Sequence, residues 1–322
     1  MKNIFFICLC ALFAFTGCAD DDDDLLTGGN VDIDLLPDSK PNDVVNTNVF
    51  DIINLNYPGL EKVKEFYETG EYYYAANALL EYYRTRTNVT NPNLSLINVT
   101  ISEADQAKAD YALEDYRFHV NNFYEDQETL KPYSLKKDGT INWTFSPEGA
   151  SDEYQKQLHR HQWFIPQAKA YRISGSEKYI QSWMEVYNNW INQNPKPESG
   201  TNTTSWWQLQ VATRINDQVQ LLEYFKNSIN FTPEWLTTFL VEFAEQADFL
   251  VDYPYESGGN ILISQANALA TAGTLMPEFK NAEKWMETGY QILSEEVQNQ
   301  IMSDGWHKDC LLYTSPSPRD TR

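Results

Sequence analysis

Between residues 19 and 309 the sequence has no cysteine; its four lie at Cys8, Cys10, Cys18 and Cys310. A disulfide framework across the body of the chain is therefore excluded. Basic residues are scarce: 24 Lys and Arg against 46 Asp and Glu leave a net charge of −22. So acidic a surface argues against a general nucleic-acid binder, which needs a basic face toward phosphates, though a local basic groove stays open. The one long apolar run, Ile4 to Phe15, is too short to span a bilayer comfortably. What is present is globular composition, 42% hydrophobic and 22% charged over 322 residues. That is enough for one large domain or two small ones.

Both ends read as something other than fold. Met1-Lys2-Asn3 and the apolar run end in Phe15-Thr16-Gly17-Cys18, which resembles a bacterial lipobox. Residues 1–17 are expected to be a lipoprotein signal peptide, with the lipid on Cys18; the alternative is an ordinary secretory signal and a chance cysteine. Asp20 to Asp24 repel one another and cannot begin a core. They resemble the export signal of Bacteroidetes-type lipoproteins, or serve only as a solvated spacer. Residues 18–48, with Gly28-Gly29, Pro37 and Pro41, read as an acidic flexible linker. The expected location is the cell envelope, lipid-anchored on the periplasmic or outer-surface side of the outer membrane. At the far end, Cys310 to Asp320 abandons the helical pattern for a Ser-Pro segment and resembles a translated sequencing adapter. Residues 310–322 are thus expected to be artefactual, and the native part to be cut at 309.

Between these ends, apolar residues recur at spacings of three and four from Leu60 to Ile301. The pattern predicts about nine helices. Leu60 to Tyr67 is broken by Gly70, and Tyr74 to Tyr83 follows. Ser102 to Tyr116 opens on a capping-box string. Lys131 to Phe145 holds a β-prone turn at Asp138-Gly139. Ser151 to Arg172 reads as one long helix ended by Ser174-Gly175. Ser176 to Ile191, Ser205 to Phe225, a helix opened by Thr232-Pro233, Leu262 to Ala272 and Asn281 to Ile301 complete the set. No βαβ alternation is visible. The expected class is all-α, built of stacked antiparallel hairpins, either a superhelix of repeats or a closed α/α toroid.

Nine Trp, 20 Tyr and 16 Phe suit a carbohydrate ligand, since aromatic faces stack on sugar rings and Tyr and Trp add a polar tip. Any single Trp is still more often core than ligand platform, and Trp183 and Trp190 have core spacing. Trp206-Trp207 are adjacent, so one can be core while Trp207 faces a groove. In Leu158-His-Arg-His161, the histidines are two apart and do not share a helix face, which excludes an i, i+4 metal pair. The structural expectation is one buried and one exposed histidine; the functional one is Arg160 and His161 reaching an anion. Gly258-Gly259 permits close backbone approach and puts Asn260 near a helix start, where Asn is also a good N-cap.

Taken in order, Arg160-His161, the stretch from Ala170 to Trp183, Arg214, Gly258-Gly259-Asn260, Met276-Pro-Glu-Phe279 and Asp304-Gly305 resemble the N-terminal helical domain of heparinase II/III polysaccharide lyases, heparan-sulfate lyases of the heparinase III type above all. The resemblance spans about Phe50 to Lys308 and implies residues 49–309 as a truncated α/α toroid. The family's C-terminal β-sandwich domain is, on this resemblance, expected to be absent from the chain as written. It implies cleavage of uronic-acid-containing glycosaminoglycans (heparan sulfate, heparin) by β-elimination, with no metal or redox cofactor needed. Asn260 matches the family's carboxylate-neutralising asparagine, followed here by Ile261 where members usually carry His. Arg160, His161 and Arg214 match positions near the substrate groove, and Trp207 is the candidate stacking residue. The family's catalytic tyrosine stands in a Ser-x-x-Tyr-His string after Asp304-Gly305. Tyr313 falls near that place but in Leu-Leu-Tyr-Thr-Ser, so the role does not transfer and the chain as written is expected to be inactive. The expected partners are an acidic polysaccharide and, through Cys18, a membrane; nucleic acid is not one. The competing reading is a glycan-binding surface lipoprotein without catalysis, and after it a helical scaffold for proteins.

Overall fold

In the computed structural model, which describes residues 41–120, 125–198 and 203–301, the apolar spacing becomes eleven α-helices. They are α1 (Val49–Ile52), α2 (Glu61–Glu68), α3 (Tyr72–Thr85), α4 (Glu103–Tyr111), α5 (Glu153–Leu158), α6 (Phe164–Ser174), α7 (Lys178–Gln193), α8 (Gln208–Phe225), α9 (Pro233–Asp252), α10 (Gly259–Leu275) and α11 (Ala282–Gln300). The only sheet among the described residues is an antiparallel ribbon of β1 (Lys136–Lys137) and β2 (Thr140–Ile141), turned at Asp138-Gly139 as expected. The signal peptide, Cys18, the acidic run, Asp304-Gly305 and the 310–322 tail lie outside the described residues. The end of the expected linker does not: Asn42 bonds Gly70 O (2.7 Å) and Tyr73 N (3.1 Å), and Val45 is buried.

Helix ends follow local chemistry. Thr232 Oγ1 accepts from Trp235 N and Pro233 opens α9, where its missing N–H costs nothing. Ser102 Oγ accepts from Asp105 N at 3.1 Å. That helix ends at Tyr111 rather than Tyr116, because Asp115 and Tyr116 take positive φ. The larger departure is at Ser151 to Arg172, which is two helices and not one. Pro166 explains it. Inside a continuous helix its ring would clash with the preceding turn; within the first turn of α6 it is tolerated. The break falls at His159 to Trp163, with His161 left-handed at φ 58°.

Three antiparallel hairpins, α6–α7, α8–α9 and α10–α11, stand side by side. Their first helices run parallel. Gln208, starting α8, donates to Tyr253 O just before α10, and further along Asn216 meets Asn267. Tyr171 near the end of α6 packs on Phe225 at the end of α8. The result is an all-α arc of hairpins, an incomplete α/α toroid. Its core is aromatic: Trp183 stacks on Phe225 and meets Trp235 edge-on, both at 5.1 Å, and Phe118 stacks on Trp163 at 4.0 Å. Such buried side chains each contribute about 1.5–3 kcal/mol of transfer free energy.

The segment α1 to α3 is clamped to this arc by Glu278. Its carboxylate takes Arg86 Nη1 (2.9 Å) and Tyr82 Oη (2.8 Å), and its backbone oxygen takes Asn54 N (2.8 Å). Ile53 bridges Phe279 beside it. The Met276-Pro-Glu-Phe279 string thus has a structural use here. Two glycines set the α10–α11 distance. A Cβ on Gly289 would lie 2.5 Å from Ala266 O, and one on Gly273 would overlap Ala282 O.

Two outcomes are expected. Gly289→Ala should destabilise the chain by about 1–3 kcal/mol or more, since backbone cannot yield as a side-chain tip does. Glu278→Gln should cost about 1.5–3 kcal/mol, which urea denaturation would read: the charge-assisted bonds from Arg86 and Tyr82 weaken, while Arg86 keeps its pair with Glu223 at 2.9 Å.

Candidate functional site

Because α6, α8 and α10 are parallel, their N-terminal ends lie at one end of the arc. The three strings singled out in the sequence are these ends: His159 to Phe164, Ser205 to Arg214 and Gly258 to Gln265. Arg214 holds the first two together. Its Nη1 donates to both His159 O and Ser205 O (2.8 Å each), and its Nε to Gln246 Oε1 on α9 (2.8 Å). The guanidinium is 1% exposed and lies over Trp190 (4.3 Å) and Trp206 (5.8 Å). No carboxylate among the described residues makes an ion pair with it, and burial draws its pKa down to about 9.

This corrects two expectations. Arg214 and His161 face the interior rather than a sugar-sized groove. His161 is 4% exposed, enclosed by Trp163, Phe164, Tyr187 and Trp190, and desolvation holds it neutral. His159 is buried too, accepting from Trp190 Nε1 at 3.1 Å, its pKa lowered to about 3. The expected split of one buried and one exposed histidine fails because the residues lie on a left-handed bend, not a helix. Arg160, His161, Arg214, Asp217 and Gln218 line a cavity of about 10 Å³, room for no more than a water. Arg160 is mostly enclosed and pairs with Glu153 at 3.1 Å.

Two residues do face outward. Trp206 is core, donating Nε1 to Asn194 O, while Trp207 is half-buried, with Tyr255 at 6.5 Å and Lys156 Nζ 4.9 Å from its ring centroid. Asn260 is exposed on the first turn of α10 and is not the N-cap; Gly258 is. Gly258 and Gly259 both take positive φ, 67° and 75°, which a side chain would strain. The Glu296 carboxylate from α11 accepts from Gly259 N at 3.1 Å, favourably placed at a helix N-terminus. The turn is therefore satisfied without the Asn260 amide, which no described side chain hydrogen-bonds. Sequence reasoning missed Glu296, Lys156, Tyr255 and Gln246, since only helix packing brings them here. It also missed the helix break that Pro166 signals.

Burial pushes the Asp217 carboxyl up to about 7, above its ordinary 3.8. Between those values the folded state holds the extra proton, so this contribution to stability is present at low pH and lost as pH rises through 7. Asp217→Asn should therefore raise the thermal midpoint at pH 8 and change it little at pH 4, read by circular dichroism.

The family model Heparinase II/III N-terminus matches residues 49–313. The chain is 88% identical over 313 residues to a heparin-sulfate lyase of Bacteroides thetaiotaomicron, covering 97% of this chain and 45% of that protein. It is 38% identical to a heparin-sulfate lyase of Bacteroides stercoris over 278 residues, 81% of this chain and 40% of that one. A crystal structure of heparinase III superposes with a TM-score of 0.80 at 88% identity, over 82% of this chain and 40% of that one. Heparan sulfate lyase HepC of Pedobacter heparinus gives a TM-score of 0.68 at 33% identity, over 81% and 40%. The chain spans less than half the length of the curated relatives it matches. With the fold and the ordered strings of α6, α8 and α10 in agreement, the chain belongs to the heparinase II/III family.

Proposed function

We propose that this chain is the helical, substrate-holding part of a lyase that cleaves heparan sulfate or heparin by β-elimination. One observation carries the reading. Asn260 is presented to solvent on a glycine-built helix start whose capping is done by other groups. A neutral amide there can donate to a uronate carboxylate and stabilise the charge that develops as the C5 proton leaves. In the reaction the C5–H and C4–O4 bonds break and a C4=C5 double bond forms. A base takes the C5 proton and an acid returns one to the departing oxygen. Trp207 offers a stacking edge to a neighbouring sugar, and Arg160 a partly enclosed cation. Arg214 acts behind Arg160 and Trp207, tying together the two loops that carry them. We further propose that Cys18 carries a lipid that anchors the chain in the cell envelope.

The naming of relatives as heparin-sulfate lyases supports the substrate class. A full-length protein that carries this chain should generate unsaturated uronate absorbance from heparan sulfate. Asn260→Ala should abolish that signal, by at least about a hundredfold if the amide supplies oxyanion-type stabilisation. A full-length protein without lyase activity, or an Asn260→Ala variant at wild-type rate, would move the non-catalytic glycan-binding reading to first place.

A further inference from the structure

A net charge of −22 leaves few places where a polyanion can settle, so the cations at the Asn260 end decide where it does. Besides the buried Arg214, two stand there among the described residues: Lys156 on α5 and Arg160 just after it. Arg160 is enclosed and paired with Glu153. Lys156 differs. Its Nζ lies 4.9 Å from the Trp207 ring centroid and 2.7 Å from Asp152 Oδ2, one turn back. The Lys156 side chain is 25% exposed and that of Asp152 78% exposed. Also beside Trp207, at 6.5 Å between ring centroids, is Tyr255, whose N–H donates to Gln265 Oε1 on α10 at 3.0 Å. Asn260 starts that same helix, five positions along the chain from Tyr255. Cation and two aromatic rings thus lie together, beside the helix whose first turn carries the amide.

We propose that Lys156 is an anion-reading residue of this cluster, meeting a sulfate or carboxylate on the sugar that stacks beside Trp207, with Asp152 occupying its ammonium until the sugar arrives. This rests on the glycan-lyase reading above and adds specificity-determining residues to the same site. The Asp152–Lys156 pair is solvent-exposed on one side, and such pairs contribute only about 0–1 kcal/mol. A sulfate or carboxylate brings charge-assisted hydrogen bonds together with ring stacking, which one exposed aspartate cannot match. The exchange also does geometric work: as the ammonium turns outward to the anion it uncovers the Trp207 face. The Lys156 ammonium keeps the Asp152 carboxyl below its ordinary range, so the competitor stays charged through neutral pH.

The prediction is a pair of opposite signs. By isothermal titration of the 322-residue chain with a heparin-derived hexasaccharide, Lys156→Ala should bind about tenfold more weakly. Asp152→Asn should bind about two- to threefold more tightly, because the internal competitor is gone. Lys156→Arg should keep most of the affinity, and circular dichroism should show all three folded. An unsulfated heparosan hexasaccharide separates the anions. A Lys156→Ala loss seen only with heparin assigns the sulfate, and one seen with both assigns the carboxylate. Wild-type binding that Lys156→Ala leaves unchanged, or that Asp152→Asn weakens, overturns the assignment while the lyase reading stands. A wild-type chain that binds neither hexasaccharide overturns both.

Discussion

A guanidinium buried without a carboxylate is the interaction on which this end of the molecule depends. Arg214 is compensated by three oxygens from three segments and by the faces of two indoles. The planar fork of arginine makes that possible; a lysine would offer one point of charge and no face to stack. Because two of the acceptors are backbone oxygens of the loops before α6 and α8, the loops are fixed to each other through it. Trp206 is drawn into the core and its neighbour Trp207 is turned out. The outward face is thus a consequence of what is buried behind it.

A second constraint sets the start of α10. Gly273 and Gly289 let α10 and α11 approach to backbone contact. That approach carries Glu296 to the N–H of Gly259, and the satisfied turn leaves Asn260 pointing at solvent without structural duties. Glu278 does comparable work far from this end, tying α1 to α3 onto the arc through Arg86, Tyr82 and the backbone of Asn54. The Glu296 and Glu278 carboxylates find their partners 37 and more than 190 positions away along the chain.

Most helices were legible because their signals are local. Thr232-Pro233, Ser102 to Asp105 and Gly175 act within a few residues, and apolar spacing marks the buried face directly. The helix break before α6 is signalled by Pro166, a local mark that the reading of Ser151 to Arg172 as one helix did not use. The site was partly legible. Asn260 was legible through the resemblance, and the Trp206-Trp207 division was expected from the angular step of a helix, although both residues precede α8 and the extended backbone of Trp207 makes the division instead. Lys156, Tyr255 and Glu296 carry no such mark, since an exposed Lys and a loop Tyr look ordinary until packing gives them neighbours.

By itself, then, the sequence determined the helical class, the positions of the hairpins, the kinship and the candidate asparagine, because periodicity, caps and ordered motifs are written along the chain. Only the tertiary structure decided which charged groups are reagents and which are scaffold. Arg160, His161 and Arg214 look alike in sequence as anion contacts, yet two of them are sealed by indoles and backbone oxygens and the third is tied to Glu153. The reason is physical: whether a charge meets solvent depends on how parallel helices close over it, and that is settled between segments some fifty residues apart, not within any one of them.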